Sequence, residues 1–453
     1  MVSYISGENN HIVKADDASL TTQFTNTNFW GLYSTAGWNN NYQFDLQASY
    51  NRDFGKHHVD AALVFENAKS THSSMWNQNQ GFPVFQTDQY WAANSDHNDM
   101  WSGGGPDYTT GRASYIGQVN YSYAEKYLLN LSVREDGSMY FAPKERWGIF
   151  PAASAGWIMS KEDFLKDNKI ITKLKLRGSV GLTGNDAVVS GWQWQQSYQS
   201  GSTYFFGDPT PSNNVGIKYG SLVNQNLTWE KSLSYNIGFD YELVHHLSGS
   251  ANYWFKHTYD ILGSRQNSLP TTFSLSMPQE NYGVMNAQGV DLTVGWKDKT
   301  GEVSWFAILN ASYGWNKVVK KDYPISYLPW QVPVGKTSNY IAGYTSYIIR
   351  TQADLDRWNA ANPDYVNPGN GNTAIGLGSM VYVDRSGPDG KPDGVINNYD
   401  QSVLYKNPNP IVYGLDLGLT GKDFPSRPYL AGCCIIPRIS LNSLIIMAAR
   451  CGI

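Results

Sequence analysis

The sequence predicts an all-β chain, a partial antiparallel transmembrane β-barrel of roughly eleven strands with short periplasmic turns and long extracellular loops. Three observations predict it. Apolar and polar residues alternate with a period of two through most of the chain. Aromatic residues make up 14% of it while charged residues make up only 16%, against about 25% in an ordinary soluble domain. Short and long connections between the alternating runs also follow one another in strict turn.

The runs near 43–50 and 57–65 are joined by Asn51-Arg-Asp-Phe-Gly-Lys56, and those near 113–123 and 127–135 by Ala124-Glu-Lys126. The runs near 148–159 and 171–182 follow, across a link at 160–170 that belongs with the short ones. From 233 to 243, Leu233, Tyr235, Ile237, Phe239, Tyr241 and Leu243 alternate with Ser, Asn, Gly, Asp and Glu. Val244-His-His246 leads to 247–255, where Leu247, Gly249, Ala251, Tyr253 and Phe255 share one side. Val290, Leu292, Val294 and Trp296 enclose Asp291, Thr293 and Gly295, and Asp298-Lys-Thr-Gly301 leads into 302–314. A last run covers 411–420.

Between these pairs lie the polar stretches 66–112, 183–232, 258–288 and 315–410, with an intermediate link at 136–147. Runs of roughly 8–13 residues suit tilted membrane strands, which need about 9–11, better than globular strands of about 5–6. A barrel has reason to keep one tidy rim and one elaborate rim, and a soluble sandwich has none. The 31 Tyr, 16 Trp and 17 Phe then read as girdles at the two membrane interfaces. The alternative is an aromatic-rich soluble sandwich or a carbohydrate-binding protein.

Composition excludes other classes. No apolar run approaches the roughly 20 residues of a helical span. A net charge of -4 with no basic stripe leaves no field to draw nucleic acid. The 3 cysteines, Cys433, Cys434 and Cys451, leave the first 432 residues without a disulfide framework. Met1 to Asn10 carries no basic n-region and no apolar h-region, so the chain as written shows no secretory signal. Two short helices are expected, Lys161–Asn168 after Ser160 as N-cap, and one over 351–360.

Several segments sit where strand meets loop. They are Arg134-Glu-Asp-Gly-Ser-Met-Tyr-Phe141, Gly148-Ile-Phe-Pro-Ala-Ala-Ser-Ala-Gly-Trp157 with Ser160-Lys-Glu-Asp-Phe164, and Leu174-Lys-Leu-Arg-Gly-Ser-Val-Gly181 with Thr183-Gly-Asn185. Asn226-Leu-Thr-Trp-Glu-Lys231, Asn236-Ile-Gly-Phe-Asp240, Val284-Met-Asn286 and Gly289-Val-Asp-Leu292 complete the set. In this shared order they resemble the SusC/RagA family of TonB-dependent transporters, over almost all of 1–424. The resemblance implies an outer-membrane importer of oligosaccharides or peptides, with a SusD-like surface lipoprotein and the TonB complex as partners and no cofactor. Asp240, Glu242 and Asp291 would then face a lumen filled with water or plug.

Family members carry a signal peptide, a TonB-contact segment and a plug before a barrel of about 22 strands. None of those earlier parts is visible here, and roughly eleven strands are too few to close such a barrel. Residues 425–453 hold every cysteine, no acidic residue and no Trp or Phe. They are expected to lie outside the native barrel, as the product of a shifted reading frame or an artificial gene end.

Candidate chemistry is sparse. Asp389-Gly-Lys-Pro-Asp-Gly-Val-Ile-Asn-Asn-Tyr-Asp400 follows EF-hand loop order through Asp389, Asp393, Gly394, Val395, Asn397 and Asp400, but Lys391 occupies a ligand position. The alternative is an Asp/Gly/Pro turn that orders a long loop. Trp192 and Trp194 could stack on sugar rings or pack within their loop. His57-His58 and His245-His246 sit at short turns without a partner at metal spacing. No nucleophile elbow, phosphate loop or CxxC motif occurs, so no catalytic, cofactor or metal residues are assigned. Besides the importer, a secreted soluble glycan-binding or glycan-cleaving β-protein and a non-functional gene remnant stay open.

Overall fold

The structure, a computed structural model, describes residues 11–13, 30–82, 91, 100–187, 192–206, 212–270, 272, 276–361, 375–406, 409, 411–420 and 430–436. The chain opens with β1 (His11–Val13), β2 (Trp30–Phe54), β3 (His57–Phe82), β4 (Met100–Tyr123), β5 (Tyr127–Ser138), β6 (Trp147–Ile158) and β7 (Ile171–Asn185). A loop hairpin, β8 (Tyr198–Phe206) and β9 (Ser212–Tyr219), precedes β10 (Glu230–Leu243), β11 (Leu247–Gly263), β12 (Glu280–Thr300) and β13 (Val303–Lys320). A second loop carries β14 (Ile341–Tyr344), β15 (Ser346–Ile348), α1 (Gln352–Ala361), β16 (Met380–Tyr382) and β17 (Gln401–Tyr405). β18 (Ile411–Thr420) and β19 (Leu430–Ile436) close the order.

Thirteen strands form one sheet in the order β1-β2-β3-β4-β5-β6-β7-β10-β11-β12-β13-β18-β19, an antiparallel meander interrupted only by loop-borne strands. Each of the expected runs lies in a strand of this sheet, and β1 and β19 add one strand at each edge. Several strands are far longer than expected. β2 has 25 residues where the alternation marks only 43–50, and β3 and β4 take up most of the expected loop at 66–112. Backbone pairing asks nothing of side-chain polarity, so a strand continues beyond the point where its apolar alternation ends. β19 lies within the stretch set apart from the barrel and pairs with β18, while 425–429 and 437–453 lie outside the described residues, as do Met1 to Asn10.

The alternation of rims is present in the order of elements. β2–β3, β4–β5, β10–β11 and β12–β13 are joined by the short connections 55–56, 124–126, 244–246 and 301–302. The intervening connections carry the long loops, except that β5 and β6 are joined by 139–146, which is shorter than the 159–170 link from β6 to β7. At 124–126 and 244–246 the first two residues, Ala124 and Glu125, then Val244 and His245, all have φ between 46° and 60°. That is the left-handed geometry of a type I′ turn, whose twist matches the flanking strands. The turns close through Lys126 N–H to the Tyr123 carbonyl (2.9 Å) and His246 N–H to the Leu243 carbonyl (3.1 Å).

The link at 160–170 corrects one expectation. It forms a short 3-10 turn, Met159–Lys161, followed by further turns, and Ser160 caps nothing. The indole N–H of Trp157 donates to Glu162 (3.1 Å) and Phe164 packs edge-on to Trp157, which pins the segment by its side chains. Asn168 Oδ1 then accepts the backbone N–H groups of Ile170 and Ile171, starting β7. The helix expected over 351–360 is α1, with the Thr351 hydroxyl accepting from Asp354 N–H at 3.2 Å as its cap.

Two compact units divide the chain: 1–50, 61–117 and 134–149, and 51–60, 118–133 and 150–453. In the first, the Arg134 guanidinium holds Asp136 (2.7 Å), Glu66 (2.8 Å) and the buried Ser114 hydroxyl (2.8 Å), tying β3, β4 and β5 together. Phe141 is fully buried beyond it, so the Arg134–Phe141 motif ends a strand. In the second unit, Tyr235, Ile237, Phe239, Tyr253, Val290 and Leu292 are exposed on one face, while on the other Arg177 donates to Asp240 and Asn252, and Ser312 donates to Asp291. Among the described residues only nine apolar side chains are buried, against a long series of exposed large ones. A water-soluble protein of this length would bury most of them, whereas a membrane strand turns them to lipid. No helix among the described residues is long and apolar enough to cross a membrane, which says nothing of strands.

Candidate functional site

The connection from β7 to β10 starts and ends as a tightly held pair. Asn185 opposes Glu230 in the ladder, and its side-chain amide donates to the Glu230 carboxylate at 3.2 Å. Just inside, Leu227 and Trp229 are buried, and Phe150 packs edge-on to Trp229 with centroids 5.3 Å apart. The Asn226–Lys231 motif is therefore the seal between loop and sheet.

Within this seal the loop folds back on the segment that leads into β12. Gln193 Nε2 donates to Gln279 Oε1 (2.7 Å), Asn224 Nδ2 to the Gln279 carbonyl (2.8 Å), and Thr228 N–H to Asn281 Oδ1 (2.9 Å). These ties frame a hollow of about 540 Å³. Trp192 forms one wall, and Gln193, Gln195, Gln196 and Gln279 with Ser197, Ser221 and Ser276 supply its polar groups. Leu222, Val223, Met277 and Pro278 complete it, so among the described residues no charged side chain lines it. Trp192 has φ 67°, a strained backbone for a bulky residue, and remains 39% exposed. Trp194 stands 6.1 Å away with its ring tilted 49°, so the two indoles touch without stacking flat.

The other sequence candidates resolve differently. In the 389–400 loop, Asp389 accepts from Lys391 N–H and Asp393 from Val395 N–H, both at 3.0 Å, as turn-forming side chains do. Asp400 is fully buried and takes the N–H groups of Arg385 (2.6 Å), Ser386 (3.1 Å) and Asn397 (2.8 Å). Burial pushes its carboxyl up, but these backbone donors outweigh it and hold the group below the ordinary aspartate range. The EF-hand order thus builds turns, and among the described residues no set of three or more His, Cys, Asp or Glu stands close enough to hold a metal.

The rim histidines gain carboxylate neighbours that spacing did not reveal. His58 lies 2.7 Å from Asp53, His245 3.4 Å from Glu242 and His246 3.6 Å from Asp298. His57 meets the Tyr121 hydroxyl at 2.7 Å. Of the hollow's lining, only Trp192 stands out in the sequence. Gln279 and Met277 come from some eighty residues further on, and only the fold brings them to it.

A family model described as "TonB dependent receptor-like, beta-barrel" matches residues 3–417. The chain belongs to that family. Its relatives include the TonB-dependent receptor SusC of Bacteroides thetaiotaomicron, 28% identical over 324 residues that cover 69% of this chain and 30% of SusC. TonB-dependent receptor P3 of Formosa agariphila is 32% identical over 209 residues, 46% of this chain and 20% of the receptor. Among solved structures, the RagAB peptide importer in its open-open state superposes with a TM-score of 0.69 at 18% identity, covering 88% of this chain and 40% of that one. The RagAB peptide transporter gives 0.67 at 17% identity, covering 87% and 41%. The SusC/RagA resemblance seen in the motifs is thus carried by both sequence and fold. The chain spans about 30% of SusC's length.

Proposed function

We propose that this chain is the strand-rich part of an outer-membrane importer that moves oligosaccharides or peptides under TonB control, beneath a SusD-like surface lipoprotein. The observation that carries this reading is the sheet itself: thirteen meandering strands with one short-turn rim, one long-loop rim and an exposed apolar face. The chain's relatives support it. SusC is described as a TonB-dependent receptor and RagAB as a peptide importer. Transport fits the site as well, since the hollow at Trp192 offers hydrogen bonds and an aromatic surface.

The test is made on the protein encoded by the whole gene, expressed in a Gram-negative outer membrane. Membrane fractionation, a detergent requirement and heat-modifiable gel migration are expected, together with nutrient uptake that stops when TonB is deleted. Recovery as a monodisperse soluble monomer without detergent overturns the reading in favour of a secreted glycan-binding protein.

A further inference from the structure

We propose that the hollow beside Trp192 is a subsite for one or two neutral sugar residues, with the indole as a stacking surface and the surrounding carboxamides and hydroxyls as its hydrogen-bonding shell. The inference rests on the importer reading and narrows its cargo.

The lining decides the class. A pyranose ring presents axial C–H groups on a face and hydroxyls around its edge, each hydroxyl both donor and acceptor. Gln195 carries an acceptor oxygen and a donor nitrogen on one side chain, Gln279 keeps its donor nitrogen while its oxygen holds Gln193, and Ser221 carries both functions on one atom, so they match hydroxyls without a net charge. Trp192 adds a broad apolar face with a polar edge. A peptide brings charged termini or side chains, and none of the described lining residues could neutralise them, so desolvating them there would cost free energy. A volume of about 540 Å³ falls within the roughly 300–1,000 Å³ range of small-molecule sites.

The site is also built in advance. The Gln193–Gln279 and Asn224–Gln279 bonds fix the opposite wall before any ligand arrives. Trp192 is held at a positive φ that a bulky residue disfavours, and its ring stands against that of Trp194 at 6.1 Å. Loop packing alone does not need that strain, because a glycine would make the same turn.

The detergent-purified full-length protein is titrated calorimetrically with maltohexaose, xylohexaose, an inulin-type fructan hexasaccharide and hexaglycine. At least one oligosaccharide is expected to bind and hexaglycine is not. Trp192→Ala should weaken that binding by about tenfold or more and Trp192→Phe by far less. Trp192→Gly keeps the positive φ without strain, so its loss of binding reports the missing ring and not a collapsed turn. Affinity should be flat from pH 5 to 9, because no described lining side chain titrates there. The proposal is overturned if none of the three sugars binds, if hexaglycine alone binds, or if the Ala and Gly variants bind sugar like the parent. Heat-modifiable migration of the same samples reads the importer proposal separately. A folded barrel indifferent to Trp192 sinks only the subsite, and a sugar-binding soluble monomer sinks only the importer.

Discussion

Arg177 reaches across Gly238 to Asn252, its Nη2 donating to Asn252 Oδ1 at 2.5 Å while Nε donates to Asp240 Oδ1 at 3.3 Å. In the ladder, Arg177 and Asn252 both stand opposite Gly238, one on each neighbouring strand. A Cβ at position 238 would lie 2.1 Å from Asn252 Oδ1 and 2.7 Å from the Ala251 carbonyl. The side chain could move, but the carbonyl belongs to the ladder. Gly238→Ala is therefore expected to destabilise the sheet by about 1–3 kcal/mol through overpacking. Heat-modifiable migration should be lost at a lower temperature than in the parent, and an unchanged transition would show that the bridge is not held in place.

Glu162 makes the short-turn rim acid-sensitive. Hydrogen bonds from the Tyr127 hydroxyl, the Trp157 indole (3.1 Å) and the Lys126 ammonium (3.0 Å) lower its carboxyl pKa to about 2. A depressed folded-state pKa contributes stability that is present above the unfolded value near 4.5 and is lost as pH falls from there toward 2. Glu162→Gln should flatten that part of the stability–pH profile and leave the neutral-pH profile parallel to the parent. Unfolding midpoints measured in acid-stable detergent between pH 2 and 7 give the comparison.

The 384–400 turn hangs on one carboxylate. Asp400 is fully buried, and its two oxygens serve three backbone N–H groups. Asp400→Asn replaces an acceptor with a donor and leaves at least one of those N–H groups facing another donor, at a cost of about 1–3 kcal/mol. Tryptic cleavage after Arg385 should accelerate, with the heat-modifiable transition of the sheet unchanged. If cleavage is no faster, the carboxylate is not what orders the turn.

The largest loop carries its own small core. Ile349, Trp358 and Val381 are buried together, with Leu355 and Ile375 packed against them and Tyr347 edge-on to the Trp358 ring. Trp→Ala in a core costs about 3–5 kcal/mol, more than so small a cluster can lose and remain folded. Trp358→Ala is expected to release 341–405 to limited proteolysis while insertion in the membrane persists. Loss of insertion would show that the loop core and the sheet fold as one.

The main sheet was legible because period-two alternation marks where a strand meets lipid, and every such run became a strand. The ends were not legible. The Met100 side of β4 and the His72–Phe82 side of β3 are polar, and nothing in their composition separates strand from loop. The motif residues could be assigned an order but not a task. That Trp157, Glu162 and Phe164 form one clasp depends on a turn whose sequence has the marks of a short helix. The hollow at Trp192 was half visible, as an aromatic pair in a polar stretch, but Gln279 arrives from a different connection. No local pattern encodes that meeting.

The Asn185–Glu230 pair closes the β7–β10 connection at its base, so the sheet senses only that the loop returns and not what it contains. Loop closure costs little more as a connection lengthens, about 0.6 kcal/mol per doubling. On the importer reading proposed above, such a protein would change its cargo by recombination. Exchange of residues 192–226 for a longer or shorter insert would, on the same reading, alter what is recognised and leave strand register to be inherited intact. Selection for insertion and selection for nutrient choice then act on separate stretches of one gene.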